Sequence, residues 1–125
     1  MILGRVSPKR QPLVPLLLRG TAHQDFLVDA LVDTGYTGTL ALPQVLIETL
    51  QLTPRSARTE LVIADGSIVS AESYMCRIVW EGGIERPVRA IAMGDQPVIG
   101  MGLLFGYEVC IEAEENGTIR IQLRP

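Results

Sequence analysis

Residues 30–43 read ALVDTGYTGTLALP and place one aspartate, Asp33, between two apolar runs. A carboxylate at the end of an apolar strand is costly unless polar partners are provided for it. Gly35 permits a tight turn beside it, and Thr34 offers a hydroxyl for local hydrogen bonding. An Asp-Thr-Gly triplet arises by chance in about 2–3% of chains this long. The triplet alone therefore decides little, and its surroundings carry the reading.

Outward from Asp33 the chain is a succession of short β-type segments separated by turn signals. Upstream, LVPLLL (13–18) reads as a strand whose prolines suit an edge or a strand start. DFLVDALVD (25–33) is apolar on both faces and reads as a central strand. Downstream, TLALP leads into PQVLIETLQL. There Pro43 suits the first helical position, and Val45, Leu46, Thr49, Leu50 and Leu52 make a short amphipathic helix. TELVIA (59–64) and SIVSAESY (67–74) flank Asp65-Gly66, a dipeptide that favours a two-residue type I′ hairpin turn. MCRIVW (75–80), turned by EGG, returns as IERPVRAIAM (84–93). GDQP leads to Val98-Ile99-Gly100, and MGLLFG (101–106) makes a second brief helix. YEVCIEA and TIRIQL close the chain around a turn at Asn116-Gly117. No repeat or linker interrupts the pattern, so residues 1–125 are expected to form one all-β domain with two short helices.

Composition narrows the function classes. Of 125 residues, 47% are hydrophobic and 20% charged, the balance of a globular protein, and the net charge is −3 without a basic cluster. No nucleic-acid partner and no acidic membrane surface is expected. The opening MILGRVSPKRQPLVPLLLRG has basic residues before an apolar run. That run is short and broken by Pro12 and Pro15, so no signal peptide and no membrane span is expected, and the cytoplasm is the expected location. Cys76 and Cys110 lie in separate apolar segments and read as buried free thiols, and His23 reads as a surface loop residue. Neither a metal nor a cofactor is expected. Trp80 and Phe105 read as core residues, and Glu112–Gly117 as a solvated turn.

ALVDTG, ELVIADGSIVS and PVIGMGLL occur in that order. Together they resemble the retropepsin-like aspartic proteases, the family of the retroviral proteases, over residues 13–121. The chain is most similar to small prokaryotic members, in which an aromatic residue follows Asp-Thr-Gly. The resemblance implies a closed, barrel-like acid-protease fold with one half-site per chain. ALVDTG corresponds to the catalytic strand and loop, ELVIADGSIVS to the flap hairpin, and PVIGMGLL to the apolar pair and glycine before a helix. It implies Asp33 as the catalytic residue and Thr34 and Gly35 as the active-site loop. It further implies substrate contacts at Tyr36, Thr37, Ala64, Asp65 and Gly66, and support of the site by Val98, Ile99 and Gly100. Tyr36 and Thr37-Gly38 depart from the small and acidic residues at these positions of the retroviral enzymes, and the amino-terminal segment is longer.

Peptide hydrolysis by an unactivated water needs a base to take its proton and an acid to protonate the carbonyl oxygen. Two carboxylates sharing one proton supply both, because their repulsion drives their pKa values apart. The chain has five aspartates, and only Asp33 is followed by Thr-Gly. Asp29 lies on the same strand but about 13 Å away, and Asp65 belongs to the hairpin turn. The second carboxylate is therefore expected from Asp33 of another copy across a two-fold axis, in a homodimer whose sheet includes strands from both termini. The expected activity is that of an aspartic endopeptidase on peptide or protein substrates. The alternatives are a dimer of the same fold that binds peptide or serves as a scaffold without hydrolysis, and a pairing with a different Asp-Thr-Gly chain.

Overall fold

The computed structural model describes residues 1–55 and 58–125, with Thr59 and Leu61 described by their backbone alone. Twelve strands account for most of the regular structure: β1 (Ile2–Val6), β2 (Pro12–Arg19), β3 (Asp25–Val32), β4 (Leu40–Leu42), β5 (Thr53–Pro54), β6 (Thr59–Val62), β7 (Ile68–Ala71), β8 (Ser73–Val79), β9 (Glu85–Ala92), β10 (Val98–Ile99), β11 (Tyr107–Ile111) and β12 (Thr118–Leu123). Helix α1 spans Gln44–Leu50 and α2 Met101–Leu104. The main sheet runs β11-β12-β1-β2-β3-β10-β4-β9-β8-β5, while β6 and β7 form a separate hairpin. A further pairing of β2 with β8 closes the six strands β2-β3-β10-β4-β9-β8 into a barrel. The architecture is the all-β, barrel-like one expected, with two short helices.

Closure depends on β2 changing partners along its length. Its first residues pair with β1 (Arg5↔Leu13) and its last with β8 (Leu17↔Val79, Arg19↔Arg77), while β3 accompanies it throughout. Pro15 falls in the interval between the two partners, where a residue without an N–H costs no bond on that side. β2 is thus an interior strand. The barrel is filled by alternating residues of the same strands: Val14, Leu16 and Leu18 from β2, Ile78 from β8 and Ile99 from β10 are essentially inaccessible.

The amino-terminal segment forms a strand that sequence reading did not assign. Ile2, Gly4 and Val6 face inward in alternation, and β1 pairs with the carboxy-terminal β12 (Ile2↔Ile121, Gly4↔Ile119). In α1, Pro43 caps the helix from outside instead of occupying its first turn; its carbonyl accepts the amides of Leu46 and Ile47. Of the expected helix face, Leu50 is buried, Leu46 is partly buried and Leu52 is buried just beyond the helix; Ile47 joins them, whereas Thr49 is exposed and Val45 is 70% exposed. Phe105 is another correction: α2 ends at Leu104, so Leu103 and Leu104 fill the core while Phe105 leaves the helix 83% exposed. Trp80 is buried and meets Tyr107 edge-to-face at 5.9 Å. Both cysteines are free; Cys76 is buried, its thiol pushed up to about 12 by desolvation, whereas Cys110 is only half-buried. Among the described residues no helix is long and apolar enough to cross a membrane.

The helix makes a direct comparison available. Leu50→Ala is expected to cost about 2–5 kcal/mol of stability, the range for emptying a fully buried leucine site. Val45→Ala on the exposed side should stay within about 0.5 kcal/mol of wild type in urea unfolding. Equal losses would contradict the assigned helix face.

Candidate active site

Asp33 follows the last residue of β3, and β10 fixes its backbone. β10 lies parallel to β3, with Val98 beside Leu31 and Ile99 beside Val32. The Leu31 amide donates to Pro97 O at 2.9 Å, and the Asp33 amide to Ile99 O at 3.0 Å. The half-buried Asp33 carboxylate accepts the Gly35 amide on Oδ1 at 2.9 Å, and the Tyr36 amide closes the turn onto Asp33 O at 3.2 Å. An amide two residues on is the usual partner of an aspartate at a turn, and it orients the carboxylate without removing it from water. Thr34, at the apex, is exposed.

The following loop is clamped from the other strand of the motif. Gly100 donates to Thr39 O at 3.2 Å, Met101 to Tyr36 O at 2.8 Å, and Gly102 to Gly38 O at 3.0 Å. The approach is so close that a Cβ on Gly100 would overlap Gly38 O, Tyr36 O and the Tyr36 ring, and one on Gly102 would come within 2.9 Å of the Gly38 carbonyl carbon. Gly38 in turn faces the Tyr36 ring, which leaves no room for a side chain there. Val98 and Ile99 therefore hold the Asp33 strand while Gly100 admits the loop. Sequence reading missed Gly102, although two glycines spaced by one residue after an apolar pair were visible.

Tyr36, expected among the substrate contacts, faces inward. Its ring is 3% exposed and packs with Ala41, Ala71 and Ile91, and its hydroxyl donates to Leu40 O at 3.4 Å. Desolvation pushes the phenol up to about 12, so it stays neutral. The ring acts as an internal strut of the loop, because the glycines around it leave the space that a large side chain fills.

The β6–β7 hairpin lies over Gly35. A Cβ built on Gly35 would stand 3.0 Å from Ala64 Cβ and 3.2 Å from Asp33 Oδ1, so a side chain there would press on both the hairpin and the carboxylate. The Val62 amide also points to Thr37 Oγ1, at 3.4 Å. The hairpin turn differs from the expected type. Ile63 donates to Ser67 O and Gly66 to Ile63 O, and of the two central residues only Gly66 has positive φ, at 85°. A type I′ turn needs both positive; this is a three-residue turn ending in a left-handed glycine. Asp65 stabilises it by accepting the Ser67 amide at 2.8 Å and the Ser67 hydroxyl at 2.6 Å, which holds its carboxyl below the usual range. Of the five expected substrate contacts, the structure thus brings Ala64 and Thr37 to the Asp33 loop, while Asp65 and Gly66 form the exposed turn and Tyr36 lies beneath.

A cavity of about 270 Å³ opens beside the loop, lined by Thr37, Thr39, Glu60, Arg89 and Ile91. A larger one of about 640 Å³, between the β1–β2 and β11–β12 turns, shares no residue with the Asp33 site. Among the described residues no group of three or more His, Cys, Asp or Glu could hold a metal ion.

No family model and no curated protein matches the sequence. A crystal structure of a retropepsin-like aspartic protease from Rickettsia conorii is similar in fold, with a TM-score of 0.60 at 14% identity, covering 97% of this chain and 88% of that one. At that identity the likeness establishes the fold: this chain has the retropepsin-like fold.

Two outcomes follow from the loop. Tyr36→Ala should cost about 3–5 kcal/mol by emptying the strut's site, whereas Tyr36→Phe, losing one long hydrogen bond, should cost about 1 kcal/mol or less. Chemical unfolding separates them. For Asp65, a carboxyl held below its ordinary value of 3.8 supports the turn at pH above that value and releases it as pH falls further. The Ser67 amide should stay protected from exchange at pH 5 and lose protection below pH 3.8, and Asp65→Ala should lose it at both.

Proposed function

We propose that this chain is one half of a homodimeric aspartic endopeptidase in which two Asp33 carboxylates, one per subunit, activate a water for peptide-bond hydrolysis. The observation that carries the reading is the Gly35 amide on Asp33 Oδ1 beneath the hairpin residue Ala64. It keeps a carboxylate oriented and half-exposed at the one place where an extended peptide could be held between loop and hairpin. One ionised Asp33 takes a proton from water as the oxygen attacks the scissile carbonyl, and the other, protonated, donates to the carbonyl oxygen. Collapse of the tetrahedral intermediate then returns a proton to the leaving amine. Thr34, exposed at the loop apex, would hydrogen-bond its counterpart across the axis. Activity is expected at acidic to near-neutral pH.

Wild type and Asp33→Asn, incubated with a diverse peptide mixture from acid to neutral pH, test this by mass spectrometry of new termini. Wild type should cleave, Asp33→Asn should lose at least about two orders of magnitude in rate, and specific activity should fall on dilution. Dimers that cleave nothing would favour a peptide-binding or scaffolding role. Activity appearing only on addition of another Asp-Thr-Gly protein would replace the homodimer with a mixed pair.

A further inference from the structure

The proposed dyad needs a second copy, and the sheet limits where that copy can attach. The terminal strands are already used within the chain: β12 lies between β1 and β11, paired along both edges. The sheet ends at β11 on one side and at the two-residue β5 on the other. β11, Tyr-Glu-Val-Cys-Ile, is therefore the longer of the two strands that end this sheet. An open edge invites another strand, and soluble proteins usually blunt theirs with proline, lysine or a bulge. β11 has no proline or lysine, and its one charged residue is Glu108. It is also tied to the candidate active site, since Gly100 lies against the Tyr36–Gly38 loop and only α2 separates Gly100 from β11.

We propose that the homodimer forms by antiparallel pairing of β11 with the β11 of a second copy, with Val109 on the two-fold axis, so that each chain keeps its own termini. The proposal rests on the dimeric reading above. The ladder fixes which groups are available. Glu112 donates to Thr118 O and Arg124 to Gly106 O, so the amides of Cys110 and Glu108 turn toward β12. Tyr107, Val109 and Ile111 then present their N–H and C=O groups along the open edge.

Two registers satisfy a two-fold axis through the middle of β11, and charge separates them. Centring on Cys110 sets Glu108 opposite the partner's Glu112, a like-charge pair made twice. Centring on Val109 sets Glu108 opposite the partner's Cys110. That position neighbours Arg120, which pairs with Cys110 in the ladder and approaches its sulfur at 3.3 Å. An acid on each chain thus faces a base on the other. On the opposite face the same register aligns Tyr107, Val109 and Ile111 in one apolar row across the junction. It also brings the exposed Phe105 toward the end of the partner's β11, where Ile111 is 38% exposed.

Disulfide trapping reads the register directly. Glu108 and the partner's Cys110 form a non-hydrogen-bonded pair, whose close spacing suits a disulfide. Glu108→Cys should give a covalent dimer on mild oxidation, and Glu108→Cys with Cys110→Ser should give none. Val109→Pro removes an edge amide without touching the β11–β12 bonds, and it should weaken dimerisation by about 10- to 100-fold in sedimentation while circular dichroism stays native. Wild-type dimers linked through Cys110 itself would overturn the register. Dimers that neither crosslink through Glu108→Cys nor respond to Val109→Pro would overturn the interface and leave the hydrolytic reading standing. Crosslinked dimers that cleave no peptide would uphold the interface and remove the hydrolytic reading. A wild type that is monomeric at every concentration would overturn both.

Discussion

The hydrogen bond from the Asp33 amide to Ile99 O is the constraint on which the site depends. It comes from the parallel lay of β10 on β3, a pairing between segments more than sixty residues apart in sequence. Because β10 is only two residues long, the chain leaves it at once through Gly100, and the exit itself becomes the platform for the Asp33 loop. One short strand thus fixes where the aspartate starts and what lies against its loop. The carboxylate can then be held by a single local amide, which orients it at little cost in desolvation.

The clamp accounts for the glycines as a set. Gly38, Gly100 and Gly102 are each placed where a Cβ would meet backbone or the Tyr36 ring, and that ring fills the space left among them. A large residue and three absent side chains make one close-packed unit. Departure from the retroviral pattern at Tyr36, Thr37 and Gly38 is therefore a single change: the tyrosine needs the glycine two residues on. This also explains why the tyrosine was misread. Sequence alone sets an aromatic ring beside the Asp-Thr-Gly motif, and only the packing shows that the ring turns inward.

Legibility in the sequence tracked locality. Asp33, the hairpin around Asp65-Gly66 and the Val98-Ile99-Gly100 exit each carry their signal within a few residues, and all three were assigned from it. Long-range pairing decided what was missed. β1 reads poorly because Gly4 interrupts its apolar row, yet Gly4 is required where the strand presses on Leu13. Phe105 reads as core because α2 was extended by two residues, and a helix that short has its end set by tertiary contacts. The turn type failed for a related reason: Asp-Gly suits a two-residue loop, but Asp65 bonds forward to Ser67 and leaves only Gly66 left-handed.

The hairpin is the part of the candidate site that stands apart from the main sheet. β6 and β7 pair only with one another, outside the main sheet, and an isolated two-stranded hairpin is marginally stable on its own. It meets the Asp33 loop through Ala64 against Gly35, a long bond from Val62 to Thr37, and the buried Ala71 of β7 packed with the Tyr36 ring. Ala64 thus lies against the glycine whose amide orients the carboxylate. The turn at the hairpin tip is held by its own bonds. Its stabilising carboxyl is held below the ordinary range by the bonds from Ser67, so the turn keeps them into mildly acidic solution. The hairpin is thus fixed at two points, its tip by Asp65 and Ser67 and its base by Ala71 under the Tyr36 ring, and between them Ala64 is set against Gly35.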